Sequence, residues 1–480
     1  MKQLLGKQGL RMLDMITYLY HREWVTLEQL SAVTKFTERT LREDIKYLNT
    51  ILTPITIESS KKSGIRLTVP TNYSLNFIYT TLLSNSIEFT VLEATFFQSY
   101  KTIDDLAVAL HSDTSIVTKA IKKINKAVDH YHFQISPNSI KLVGDEQAIT
   151  VFIKSYLLKK YDKNMPLDKD LIESIHHAIT RLFHKRGATI TPINRNLLIL
   201  YMAIRIRRLK LDQTNRYLRQ IDAPQPPAIS EFNQELSTLA EINDVYDFYS
   251  DIFHPGDDQY ICFSIDELYE KAAQSPALNQ KISSYTNLLT SIEKELNFSF
   301  NSKDAALFRL HYISLQEAYH IPIIGNKTDL LLNHVKLIIP YVYLVVSNIV
   351  ESFSEELQID TTALLYYVFS SSPDFFTIAR TKQPKLKVAL YGQYHNLTTI
   401  NNLNILTATF EHQFDITFLE STFEDLREEI NRDYDLLITE INNIDIEIDN
   451  FCMPFDISST EIASLQQYYF NAMSKIASIK

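Results

Sequence analysis

Apolar residues recur at three- and four-residue spacing along most of this chain, the period of helices with one buried face. In TLEQLSAVTKFTERTLREDIKYLN (26–49) the pattern comes as two short runs. Thr26 is placed to cap the first, whose Leu27, Leu30 and Val33 fall on one face. A break at Thr34–Phe36 predicts a turn. Thr37 is placed to cap a second helix, with Thr40, Leu41, Ile45 and Leu48 at core-facing spacing. Two short helices about a tight turn form a helix-turn-helix. The period then shortens: ITIESSKKSGIRLTV (55–69) alternates on either side of Lys61, Lys62 and Gly64, which predicts a β-hairpin wing.

A helical stretch over 74–100 leads into a second copy, ungapped and 76 residues on, in TIDDLAVALHSDTSIVTKAIKKIN (102–125). Leu27 corresponds to Ile103, Leu30 to Leu106, Val33 to Ala109, Leu41 to Val117, Ile45 to Ile121, Leu48 to Ile124 and Asn49 to Asn125. A second wing, FQISPNSIKLVG (133–144), follows, with Ser139–Leu142 echoing Gly64–Leu67. Such a repeat is one supersecondary unit used twice.

From about residue 147 helical spacing continues over 147–161, 167–186, 193–219, 229–249, 260–273, 280–296, 303–319, 328–352 and 355–370. Breaks at 222–230, 254–258, 274–279 and 370–374 divide this region into two bundles. VKLIIPYVYLVVSNIV (335–350) is short and holds Lys336 and Pro340, so it predicts a buried helix pair and not a membrane span. After KQPKLK the pattern becomes strands at KVALYG (387–392), ITFLES (416–421) and DYDLLITE (433–440), with helices at 397–412, 422–431 and 459–477. That alternation predicts a small α/β domain with a parallel sheet. The expected fold is therefore mainly α and multidomain. It comprises winged helix-turn-helix units at 1–70 and 71–162, all-α bundles at 163–285 and 286–384, and an α/β domain at 385–480.

Charge changes the picture more than composition does. The chain has 480 residues and a net charge of −10. Residues 1–160 hold 20 Lys and Arg against 15 Asp and Glu, a net of +5, and the remainder carries 27 against 42, a net of −15. A basic front and an acidic back predict an electrostatic contact at the front and regulatory contacts behind. The segment 386–480 alone carries 5 basic against 15 acidic residues, which speaks against a nucleic-acid role there. A helix fits the DNA major groove, with polar side chains near its start reaching base edges and basic ones contacting phosphates. Thr37, Thr40, Ser115 and Thr118 take the first role; Arg39 and Arg42 can bond guanine; Lys46, Lys61, Lys62, Lys119, Lys122 and Lys123 supply phosphate contacts. A few basic residues on any exposed helix are ordinarily a solvated face, and it is the wing and the second copy that favour the DNA reading.

Other chemistries find little support. Only 8 glycines occur, with no GxGxxG or GxxxxGK[ST], and there is no HExxH or GxSxG. Cys262 and Cys452 have neither metal-ligand nor disulfide spacing, which fits a reducing cytoplasm. The N-terminus lacks the features of a signal peptide. The adjacent His176 and His177 point about 100° apart on a helix, unsuited to one metal ion. No cofactor and no enzymatic activity is expected. A phosphotransferase-like protein or an RNA-binding antiterminator would be the alternatives, the latter needing an aromatic platform where this chain has helix-turn-helix units.

The order of these parts resembles the Mga/AtxA-like regulators of low-GC Gram-positive bacteria that carry phosphotransferase-system regulatory domains (PRDs). The resemblance rests on the two helix-turn-helix segments with their wings and extends more loosely along nearly the whole chain. It implies a DNA-binding global regulator, tolerant of sequence and directed to curved or AT-rich promoter regions. It also implies two PRD bundles that take phosphate on histidine from phosphocarrier proteins, and a terminal domain like the transporter component EIIB, used for self-association as a dimer or higher oligomer. Of the PRD histidine positions, only His334 in LLLNHVKLII (330–339) matches. Residues 190–210 hold no histidine, DDQYICFSI (257–265) has Ser264 at the expected place, and 359–371 has none. His176, His177 and His184 stand off the pattern. The loop YGQYHNLTT (391–399) lacks the cysteine of a working EIIB, so a scaffold role is expected there. Cys452, far downstream, is expected to pack as a small apolar residue.

Overall fold

A computed structural model describes residues 2–479 except 21, 162–164, 212–224, 254–259, 319–320, 322, 325–326, 393–395, 421–422 and 454–456. The chain divides into two compact units, 1–263 with 316–325, and 264–315 with 326–480.

The first unit opens with a 3-10 turn, Lys2–Leu5, and α1 (Gly6–Tyr20), which buries Met12, Leu13, Met15, Ile16 and Leu19. Next come α2 (Leu27–Thr34), α3 (Glu38–Ile51) and an antiparallel hairpin of β1 (Thr56–Ser60) and β2 (Gly64–Thr68). The connecting helices α4 (Leu75–Ser84) and α5 (Ile87–Phe97) precede the second copy. That copy consists of α6 (Ile103–Ala109), α7 (Thr114–Val128), β3 (Phe133–Ile135) and β4 (Leu142–Gly144). A bundle follows: α8 (Glu146–Lys160), α9 (Lys169–Lys185), α10 (Pro192–Lys210), α11 (Pro227–Leu239) and α12 (Phe248–Phe253). One continuous apolar core runs through all of these elements. Ile321, Ile323 and Ile324 are buried in the same core, and the Ile321 N–H donates to Ser155 Oγ on α8 at 3.3 Å.

The second unit begins with α13 (Ile265–Gln274), α14 (Pro276–Leu296) and α15 (Lys303–Ala318), the last three residues of which fall in the first unit. It continues with α16 (Lys327–Ile338), α17 (Pro340–Leu357), α18 (Thr361–Ser371) and α19 (Pro373–Thr381). The terminal region alternates β5 (Leu386–Tyr391), α20 (Asn396–Thr409), β6 (Phe414–Leu419), α21 (Phe423–Asp433), β7 (Leu436–Thr439), β8 (Asp449–Cys452) and α22 (Ser459–Ile479). Its four strands are all parallel, in the order β6-β5-β7-β8, and β7 is buried along its length. Helix α17 packs against α14, α18 and α22, which joins the helical part to the sheet region.

The mainly helical fold, the helix-turn-helix at the front and the parallel sheet at the end follow the sequence expectation. Several details differ. α14 runs unbroken through 285/286, where a bundle boundary was expected, because Ser275 caps its start and left-handed Asn297 ends it. The helix expected over 229–249 stops at Leu239, where Glu241 adopts a left-handed conformation (φ 58°). α17, by contrast, runs past the expected end at 352 to Leu357, where left-handed Gln358 (φ 52°) closes it. Cys452 is exposed, not packed, since it ends the polar strand β8, and its Sγ lies 3.2 Å from Asn442 Oδ1. The expected break at 222–230 is shorter than read, since α11 already begins at Pro227; its first residues, 222–224, the break at 254–258, the end of 193–219, part of the 257–265 motif and part of the 391–399 loop lie outside the described residues. Among the described residues, no helix is long and apolar enough to cross a membrane.

Candidate nucleic-acid interface

The two helix-turn-helix units are built by the same local interactions. Thr26 caps α2 by accepting from the Gln29 N–H at 3.1 Å, and the Gln29 side chain accepts from the Thr26 N–H at 2.9 Å. Thr102 and Asp105 repeat this reciprocal box at α6. The turns each place one residue in the left-handed region, Lys35 (φ 60°) and His111 (φ 48°), at equivalent positions of the repeat. Asn49 and Asn125 then clamp the wings. Asn49 donates to Ile57 O at 3.0 Å and accepts from the Ile57 N–H at 2.7 Å. Asn125 does the same to Ile135 at 2.9 and 2.8 Å. Each wing also bridges back to the segment just ahead of its unit's first helix, Ile65 to Val25 and Ile140 to Tyr100. Gly64 (φ 99°) is required there, because a Cβ would press on the Val25 carbonyl.

The two second helices differ in their electrostatics. On α3, Arg39 pairs with Glu43 at 3.4 Å and Arg42 with Glu38 at 3.1 Å, all four exposed. Lys46, Lys61 and Lys62 are exposed; Thr40 is half-buried, its hydroxyl 2.9 Å from that of the exposed Thr37. The inward carboxylate, Asp44, is buried and accepts from Arg11 Nη2 on α1 at 2.9 Å. Asp44 bonding holds the Arg11 guanidinium above its ordinary pKa. The charges of α3 thus largely cancel.

α7 contains four lysines and no acid. Ser115, Lys119, Lys122 and Lys126 are exposed. Thr118 is half-buried, its hydroxyl donating to Thr114 O at 2.7 Å. Lys123 departs from the expectation: it faces inward, where Nζ lies 2.8 Å from buried Glu88 and 3.5 Å from Leu4 O. It ties the N-terminal turn to α5 and α7 and is spent on that contact. Among the described residues, Lys119, Lys122 and Lys126 have no acidic partner.

A further device escaped the pattern reading. The run RIRRLK at the end of α10 looks like a solvated basic face, yet Arg208 is fully buried and Arg205 nearly so. Arg208 donates to Leu142 O of the second wing at 3.2 Å and to Glu146 Oε1 at 2.8 Å. Arg205 donates to Glu146 at 3.1 Å and Asp251 at 2.9 Å, while Arg207 donates to Phe97 O at 2.7 Å. Burial pulls the Arg205 guanidinium down, but Asp251 and its other partners outweigh this and hold it above its ordinary pKa. The arginines therefore fasten the second winged helix to the bundle behind it. Their side-chain length and alternating spacing gave no sign of this in sequence.

In the second unit, His334 is exposed on α16, its Nδ1 2.8 Å from Leu330 O. Leu330, Leu337 and Ile338 are exposed beside it at helical spacing. Ser264 caps α13 by accepting from the Glu267 N–H at 3.1 Å. His176 lies 3.3 Å from Arg195, and exposed His177 lies 3.5 Å from Glu173, four residues earlier. No cluster of three or more metal-ligating groups occurs among the described residues.

Residues 71–157 match the Mga helix-turn-helix domain family, the segment that contains α6, α7 and the second wing. The chain is 21% identical to a protein of Streptococcus pneumoniae serotype 4 named as a trans-acting regulator, over 82% of this chain and 84% of that one. It is 25% identical to the capsule synthesis positive regulator AcpA of Bacillus anthracis, over 42% of each chain. It is 26% identical to the anthrax toxin expression trans-acting positive regulator of the same organism, over 31% of each. The last two matches thus span less than half of those proteins' length. Residues 71–157 thus carry a Mga helix-turn-helix domain, and the chain as a whole is similar to the Mga/AtxA-like virulence regulators.

Proposed function

We propose that this chain is a DNA-binding transcriptional regulator, acting as an activator, whose principal contact is α7 and its wing. The observation that carries this reading is the exposed lysine face of α7, Lys119, Lys122 and Lys126, on a helix without acids. Each phosphate contact adds about 0.9 to the slope of log affinity against log salt. The α3 arginines already have carboxylate partners, so they contribute less. The two Bacillus anthracis relatives are named as positive regulators, which supports activation. Curved or AT-rich promoter DNA is the expected substrate, with the two units favouring DNA shape.

A salt series of duplex binding tests this. Lys119→Ala/Lys122→Ala should lower affinity and flatten the slope by about 2. Arg39→Ala/Arg42→Ala should have a smaller effect. Absence of binding at low salt, or indifference to both pairs, would remove the DNA reading.

Regulation is proposed to run through His334. It sits among exposed Leu330, Leu337 and Ile338, a face suited to a helix contact. Phosphate transferred there by a phosphocarrier protein would add about two negative charges to an apolar surface and disfavour that contact. Self-association is proposed to use this face of α16 together with the EIIB-like terminal domain. His334→Glu should lower the mass seen in sedimentation and His334→Ala should not; equal behaviour of the two would dismiss this arm.

A further inference from the structure

We propose that Ile116, with Val108, reads the 5-methyl group of thymine in the major groove. The inference rests on the DNA-binding reading and adds a source of base discrimination to it. Ile116 occupies the third position of α7, next to exposed Ser115, and is 43% exposed. Val108, near the end of α6, is 75% exposed. A single exposed aliphatic side chain is ordinary. These two line one open hollow, together with Ala107, His111, Ser112 and Asp113, at the start of the lysine-bearing helix.

The chemistry of the hollow selects its occupant. A phosphate would meet the Asp113 carboxylate at the rim and Asp104, which accepts from Thr114 Oγ at 2.8 Å. A base edge with an apolar group has no such conflict. Side chains at the start of a second helix of this kind reach base edges, and thymine alone presents a methyl there. Lys119 and Lys122, one and nearly two turns farther along and exposed, complement the flanking phosphates and hold the duplex against α7. The first unit lacks the pair, since Ala32 and Thr40 stand at the equivalent positions. Discrimination is thereby assigned to the second unit.

The test compares one duplex containing thymine with the same duplex in which every thymine is deoxyuridine, using the full chain. Wild type should bind the uracil duplex about fourfold more weakly for each methyl buried. Ile116→Ser/Val108→Ser should bind both duplexes equally, near the wild-type affinity for uracil DNA. Circular dichroism of the variant checks that its helices are intact, and Ile116→Val should keep part of the discrimination. Equal binding of both duplexes by wild type overturns the proposal while leaving DNA binding in place. So does discrimination that survives in the double variant, which would place it in the DNA's own stiffness or at another residue. Binding to neither duplex at low salt removes the DNA reading and this proposal together.

Discussion

Asn49 and Asn125 show how much a repeat can rest on single side chains. Each carboxamide satisfies both the N–H and the C=O of one wing residue, so truncation strands two backbone groups at the base of the wing. Asn125→Ala should cost about 1–3 kcal/mol, seen as a lower urea midpoint with an unchanged slope. The equivalence of the two asparagines was legible in the sequence; their task was not, because a polar residue at a helix end signals nothing about its partner. The lysines of α7 were equally legible as a basic run. Which of them face solvent was decided by packing, and Lys123 was lost to Glu88. The helix ends at Lys35, His111, Gln358 and Glu241 went unread for a related reason: left-handed closures here use residues with side chains, where glycine would have signalled them.

At the scale of elements, the first wing carries a cross-strand cluster. Glu58 lies opposite Arg66 in the hairpin and accepts from Thr68 Oγ1 and Arg66 Nη2, each at 2.8 Å. The Thr68 and Arg66 bonds hold its carboxyl below the usual range. A depressed carboxyl stabilises above its ordinary pKa, and that contribution disappears as pH falls through the folded value. The Arg66 guanidinium lies 4.8 Å from the ring centre of Trp24, the only tryptophan of the chain. Trp24 emission should therefore shift as pH falls below the usual carboxylate range, and Glu58→Gln should abolish that shift. On the second wing the joint is buried. Glu146→Gln weakens the partner of two buried guanidinium groups, and Arg208→Met leaves the carboxylate of Glu146 without its fully buried partner. Either should destabilise by about 3–5 kcal/mol in denaturant unfolding. Both should also weaken DNA binding, although neither residue would touch DNA, because Arg208 holds the wing strand at Leu142 O.

At the scale of the whole molecule, residues 316–325 belong to the first unit although they are distant from it in sequence. Ile321, Ile323 and Ile324 complete its core. Residues 1–263 expressed alone should therefore expose apolar surface, bind an apolar dye and melt at lower temperature than the full chain. Ile323→Asp/Ile324→Asp in the full chain should reproduce the loss in denaturant unfolding, by several kcal/mol. The sequence by itself determined the doubled helix-turn-helix, the helical middle, the parallel strands at the end and the split between basic front and acidic back. These are local matters: periodicity reports which face is buried, caps report where helices start, and charge is additive along the chain. Only the tertiary structure decided which lysines remain free, that the α10 arginines are buried fasteners, that 316–325 closes a distant core, and that polar Asp449–Cys452 is an edge strand of the sheet. Each of those depends on what a residue meets across the fold, and no local period carries that information.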